Sequence, residues 1–278
     1  MKPAARFLLI GLASVVLLTF IAGVGVVWQT RKLTQSRMLE HLQAASAVES
    51  ELQADRLREL QIHGDALASD PAFVDYIAQS LIPNPKLGGG VDSQSIDDLL
   101  SERRRGYDIA VVLDATGKPV GHSGTLLKDD ASIRKEAFVA NCIEMRKPTH
   151  GLWADHGQLI LVAANPMLKG GVLQGVVLTA THLDADFATA IQRLTRTGIV
   201  LFVPAPTASG TSASNGLASW IAPALVAEAQ QMIVATTTSG AALKLSDGQH
   251  DMAAWATPLD ADGGHAVLVA LDSGANGD

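Results

Sequence analysis

Cysteine is almost absent from this 278-residue chain: Cys142 is the one thiol. That excludes an internal disulfide and a Cys-rich zinc site, leaves the redox compartment open, and makes Cys142 a packed small hydrophobe rather than a nucleophile. Aromatic residues make up 4%, too few for the stacking platforms that hold bases or sugars. Basic residues are scarce over most of the length. Lys2, Arg6, Arg31, Lys32 and Arg37 all precede the first carboxylate, Glu40, so residues 40–278 hold 16 basic against 28 acidic groups, a net of −12. A surface that acidic repels phosphate backbones and excludes a nucleic-acid binder working by counterion release.

Complete catalytic and metal signatures are lacking too. Gly121-His122-Ser123-Gly124-Thr125 resembles a nucleophile elbow, but Thr125 replaces the last glycine and the phrase falls on a hairpin strand. Ser132 and Lys135 have serine–lysine spacing with neither companion motif. His182-x-Asp184-x-Asp186 reads as the acidic first turn of a helix, His150 with His156 as a sparse pair, and Asp260-Ala261-Asp262-Gly263-Gly264 as a turn without the distal glutamate of a calcium loop. Gly88-Gly89-Gly90 is followed by no Lys-Ser/Thr and cradles no phosphate. The expectation is a non-enzyme with no cofactor and no bound metal.

What is abundant is apolar residues, at 47%, and they are unevenly placed. Phe7 to Thr30 carries no charge, and Phe7 to Val27 gives 21 residues. At about 1.5 Å per residue that spans a hydrocarbon core of roughly 30 Å. Trp28 takes an interfacial place, with Lys2 and Arg6 before the span and Arg31 and Lys32 beyond it. The run is longer than a signal-peptide core and exits without a small-x-small site, so an uncleaved anchor is expected. Charge alone does not orient it, and no second span is expected.

Beyond the span, residues 31–69 hold no proline and one glycine, with Leu39, Leu42, Ala45, Leu52, Leu60 and Leu67 three, seven and eight apart, the pattern of a long amphipathic helix. Asp70-Pro71 stops it and starts another with Phe73, Val74 and Ile77 inward. Ser95 to Arg105 reads as a further helix. At Gly106 the period becomes extended. Strands are expected at Asp108 to Leu113, Lys118 to Ser123, Gly151 to Asp155, Leu159 to Ala164 and Val172 to Thr181, with a helix at Ser132 to Met145. After a helix at Asp184 to Arg196 the order begins again: Ile199 to Val203, a helix at Leu217 to Val234, then strands near Ala241, Met252 and Ala266, with no clear second strand. Two unequal antiparallel α+β modules result. Tyr107 opens the first strand, Trp153 and His156 flank the third and Asn165 ends the fourth. A mostly apolar pocket with a few such groups is the expected ligand site.

The anchor, the outward helix and the two modules together resemble the extracytoplasmic double Cache domain of bacterial transmembrane receptors. Local phrases carry it: Ala66 to Ile77 (ALASDPAFVDYI) resembles the break after the stalk helix, Tyr107 to Gly124 (YDIAVVLDATGKPVGHSG) the first hairpin, and Asn165 to Phe187 the closing strand pair with its glycine hairpin. The resemblance implies a cytoplasmic stub and transmembrane helix over 1–30, stalk and N-terminal helices over 31–105, a membrane-distal module over 106–183, a connecting helix over 184–197, a membrane-proximal module over 198–272 and a tail over 273–278. It further implies an inner-membrane receptor, with the bulk of the chain periplasmic, sensing a small-molecule ligand and pairing as a homodimer through its stalk. With no second membrane helix before Asp278, the chain is expected to be the sensor portion of a longer receptor or to signal through a separate output partner. In amino-acid-binding members an aspartate follows the glycine hairpin; here Ala180 stands in its place, so an amino acid held in the usual way is not expected. The alternative is a membrane-anchored accessory protein using the same fold for protein–protein interaction.

Overall fold

The computed structural model describes residues 40, 42, 44–83, 85, 88–103, 105–124, 133–155, 158–202, 241–246, 251–261 and 264–272. The expected membrane span, the helix expected at Leu217 to Val234 and His156 lie outside these residues. Among the described residues no helix is long and apolar enough to cross a membrane.

Helix α1 (44–69) is an amphipathic rod whose inward stripe includes Ala45, Leu60 and Leu67, joined by Leu42 just ahead of it. The stripe repeats at three- and four-residue steps and so stays on one side of the helix. The chain then breaks as expected. The Asp70 carboxylate accepts the Ala72 N–H at 2.9 Å, with Pro71 opening α2 (Pro71–Ser80) and Phe73, Val74 and Ile77 buried. A carboxylate there satisfies a backbone donor that the first turn leaves open. Helix α3 (Ser93–Arg103) starts on Asp92, whose carboxylate accepts from the Ser95 N–H at 3.2 Å and hydroxyl at 2.9 Å.

The first sheet runs β2-β1-β5-β4-β3 and is antiparallel throughout. Strand β1 (Ile109–Asp114) turns into β2 (Pro119–Ser123) through a tight loop in which Asp114 accepts from the Thr116 N–H, the Thr116 hydroxyl and the Lys118 N–H. Burial tends to raise the Asp114 pKa, but these bonds outweigh it and hold the carboxyl below its ordinary value. Helix α4 is shorter than the sequence pattern suggests, covering Ala137–Met145 while residues 134–135 form a turn. Strands β3 (Thr149–Asp155), β4 (Gln158–Lys169) and β5 (Val172–His182) complete the sheet.

Helix α5 (Ala185–Thr195) begins where Asp184 accepts the Asp186 and Phe187 N–H groups at 3.1 and 3.2 Å. The His182-x-Asp184-x-Asp186 phrase is thus built into a helix cap. A second sheet follows in the order β6-β9-β8-β7, made of β6 (Gly198–Phe202), β7 (Ala241–Ser246), β8 (Asp251–Ala261) and β9 (Gly264–Asp272). Without β2 the first sheet reads β1-β5-β4-β3, which is the same path. The two sheets approach at β3 and β8, and Trp255 packs against the core beneath α1.

Two cores sandwich the first sheet. On one face α1, α2, α3 and α5 bury Leu60, Phe73, Ile77, Ile96, Leu100 and Phe187 against Ala110, Val112, Leu161, Ala163 and Val177. On the other, Phe138, Val139 and Cys142 of α4 and the preceding Ile133 cover Ile109, Val111, Ile160, Val162, Leu178 and Ala180.

Candidate ligand-binding site

Of the four residues expected at a ligand site, Tyr107, Trp153 and Asn165 are described, and they do not converge. Tyr107 stands two residues before β1 on the helix-covered side, its hydroxyl donating to the Arg103 carbonyl at 3.2 Å and its ring edge-on to His63, centroids 6.2 Å apart. Asn165 does not end its strand: β4 runs on to Lys169, and Asn165 sits mid-strand opposite Val177. Successive strand residues alternate faces, so Asn165 shares the α1 face with Leu161 and Ala163. Its amide lies under Gly64, where a Cβ would come within 2.1 Å of Nδ2. Trp153, opposite Ile160, faces the other way, toward α4.

The α4 face is a continuous apolar floor. In register, Ile109 lies beside Ala180, Ala180 beside Val162, and Val162 beside Gly151. Phe138 closes over Gly151, where a Cβ would meet its Cδ1 at 2.4 Å. The Thr149 hydroxyl ties α4 to β3 by donating to the Phe138 carbonyl at 2.6 Å. Burial pushes the Cys142 thiol up to about 11, so it stays protonated and unreactive at neutral pH. Trp153 is 1% exposed, and its indole N–H has no acceptor among the described residues. Such a donor in an apolar site costs free energy until something accepts from it. The arrangement suits a molecule with an apolar body and a hydrogen-bond acceptor.

On the α1 face Thr179 and Ser123 serve the frame, whereas the Asn165 amide and Glu49 Oε1 have no hydrogen-bond partner among the described residues. Thr179 donates to the Leu60 carbonyl at 2.9 Å and so pins the middle of α1 to β5. The Ser101 hydroxyl donates to Ser123 at 3.2 Å, so the elbow-like serine is tied to α3 rather than to a histidine. Glu49 is 1% exposed, and burial pushes its carboxyl up to about 7. Arg56 stacks 4.8 Å over the Phe187 ring. Sequence reasoning missed both, yet the signal was there: the seven-residue step from Ala45 to Leu52 skips Glu49, and the eight-residue step from Leu52 to Leu60 skips Arg56. Charged residues at those positions are part of the inward stripe.

Two clefts open at the ends of this frame. One, of about 320 Å³, is lined by Arg56, Glu59, Asp108, His182, Asp184 and Asp186. Several of its polar groups are already committed: Asp108 accepts from the Thr181 hydroxyl at 2.6 Å and the His182 N–H at 3.1 Å, and Asp184 caps α5. The other, of about 490 Å³, lies between α1 and the connection from α3 to β1, against His63, Leu67, Leu99, Arg103, Arg105 and Tyr107.

No protein-family model matches the chain, and no curated protein matches it. Among solved structures, the chain is similar to a domain of a sensory box/GGDEF family protein from Vibrio parahaemolyticus, at 14% identity and a TM-score of 0.47, covering 86% of this chain and 96% of that one. It is also similar to the ligand-binding domain of the Campylobacter jejuni chemoreceptor Tlp3 in complex with L-norvaline, at 14% identity and a TM-score of 0.46, covering 87% and 91%. A third likeness is to the extracellular domain of the histidine kinase vpHK1S-Z8, at 12% identity and a TM-score of 0.43, covering 86% and 93%. None of these likenesses identifies the chain.

Proposed function

We propose that this chain is the ligand-sensing, extracytoplasmic part of a bacterial membrane receptor, held in the inner membrane by Phe7 to Thr30 with its bulk in the periplasm, and that it performs no catalysis itself. The double Cache resemblance of the quoted phrases supports this reading, as does the strand path shared by the two sheets. The observation that carries it is the Trp153 indole, buried on an apolar sheet face with no acceptor among the described residues. The ligand has an apolar body and accepts a hydrogen bond from Trp153, and with Ala180 in the floor no carboxylate stands there to hold an amine. The coupling runs through β5: Leu178 and Ala180 face the ligand side, while Thr179 between them holds α1. A ligand that prefers one seating of α1 shifts the receptor toward it.

A thermal-shift screen of the full chain in detergent, using neutral and weakly polar metabolites, tests the reading. A ligand at about 100 times its dissociation constant stabilises by roughly 2.7 kcal/mol. The expected result is an upward shift that Trp153→Phe removes, because phenylalanine keeps most of the ring and loses the N–H. Retention of the full shift in Trp153→Phe would sink the assignment of the site.

A further inference from the structure

The cleft between α1 and the α3–β1 connection has the volume of a small-molecule site: about 490 Å³, within the roughly 300–1,000 Å³ usual for such sites. Its walls are Ala66 and Leu67 from α1, Leu99 from α3 and the ring of Tyr107. Its rim holds Arg103, Arg105, His63 and Glu102. Gly106 shapes it. The backbone there has φ +75, and a Cβ would lie 2.2 Å from His63 Nε2, so the imidazole occupies the space a side chain would need while the chain turns between Arg105 and Tyr107.

The two arginines differ. Arg103 is committed, paired with the Asp70 carboxylate and lying 5.7 Å over the Phe73 ring. Asp70 answers in kind: the Arg103 hydrogen bond is the main cause holding its carboxyl below the ordinary value. Arg105 is exposed and has no ion pair or hydrogen bond among the described residues. An uncommitted guanidinium presents a planar fork of donors that matches a carboxylate.

We propose that this cleft binds a small organic carboxylate, its apolar body against Ala66, Leu67, Leu99 and Tyr107 and its charged end on Arg105. Glu102, an exposed carboxylate on the same rim, opposes the ligand's charge and keeps the affinity modest. The site lies on the α1 side of the sheet, away from Trp153, and stands independently of the sensor reading. A ligand there bridges α1 to the α3–β1 connection and favours the arrangement in which they are in contact.

Calorimetric titration of the full chain in detergent with phenylacetate, and with uncharged phenylacetamide as its partner probe, tests this. Phenylacetate binds saturably, more weakly at high salt, and more tightly than the amide. Arg105→Gln weakens phenylacetate by about tenfold, the loss of one charge-assisted pair, and Glu102→Gln strengthens it by about twofold. Ala66→Trp fills the cleft and abolishes binding with Arg105 intact. Absence of saturable binding by phenylacetate, hexanoate and 4-hydroxybenzoate at millimolar concentration overturns the proposal. So does an Arg105→Gln protein that binds like its parent, or an Ala66→Trp protein that still binds phenylacetate.

Discussion

The two faces of the first sheet are built from the same strands and held differently. Beneath α1 the packing is threaded with polar groups: Glu49, Ser123, Asn165 and Thr179 are all buried there. Two of them make specific bonds, Thr179 to Leu60 and Ser123 with Ser101. Beneath α4 the floor is aliphatic, and Trp153 alone brings a buried indole donor to it. Polar bonds fix one geometry because the alternatives leave groups unpaired, whereas apolar surface tolerates repacking at similar cost. The α1 face therefore sets the position of the long helix, and the apolar α4 face is the one that tolerates repacking.

The contrast can be broken most severely on the α4 side. Phe138→Ala removes the ring over Gly151 and should cost about 3–5 kcal/mol in chemical denaturation; a loss below about 1 kcal/mol would show that α4 hardly contributes to that core. Glu49 gives the next effect. Burial pushes its carboxyl from the ordinary 4.5 up to about 7 in the fold. Below 4.5 both states hold the proton; between 4.5 and about 7 the unfolded state ionises first, so stability falls as pH rises and is lowest above 7. Glu49→Gln should therefore match its parent in acid and exceed it at pH 8 by roughly 3 kcal/mol. Parallel stability curves for the two proteins across this range would contradict the buried carboxylate. Gly64→Val drives a side chain into Asn165 and should cost roughly 2 kcal/mol. Truncating the obstacle in Gly64→Val/Asn165→Ala should recover part of that, giving less than the sum of the single effects. Trp153→Phe is the mildest, within about 1 kcal/mol, so a loss of ligand binding in that variant would not reflect loss of the fold.

Much of this frame was legible in the chain itself. Asp70-Pro71, Asp114 to Gly117 and the Asp184 cap are short-range signals, in which a side chain bonds to backbone a few residues away, and the structure has them where the sequence places them. The switch to extended periodicity at Gly106 likewise marks the start of the sheet. The site was less legible because strand membership does not fix a face. Tyr107, Trp153 and Asn165 all belong to the first sheet's neighbourhood, but alternation along β4 and β3 sends Asn165 toward α1 and Trp153 toward α4. Strand β4 runs past the end expected at Ala164, because Pro166 pairs with Val176 on β5 and the strand continues. Glu49 and Arg56 fall in the seven- and eight-residue gaps of the apolar stripe, and only the packed helix shows that the stripe runs through them.

Strand β5 is paired on both sides, by β1 and by β4. Its amides from Val176 to Ala180 face bonded neighbours in two directions, so in deuterated solvent they should exchange only when the whole module opens. That makes β5 a stiff rod rather than a soft relay. Displacement of Ala180 by a guest on one side carries Thr179 with it, because adjacent residues on one rod move together, and the far end of the movement is the carbonyl of Leu60.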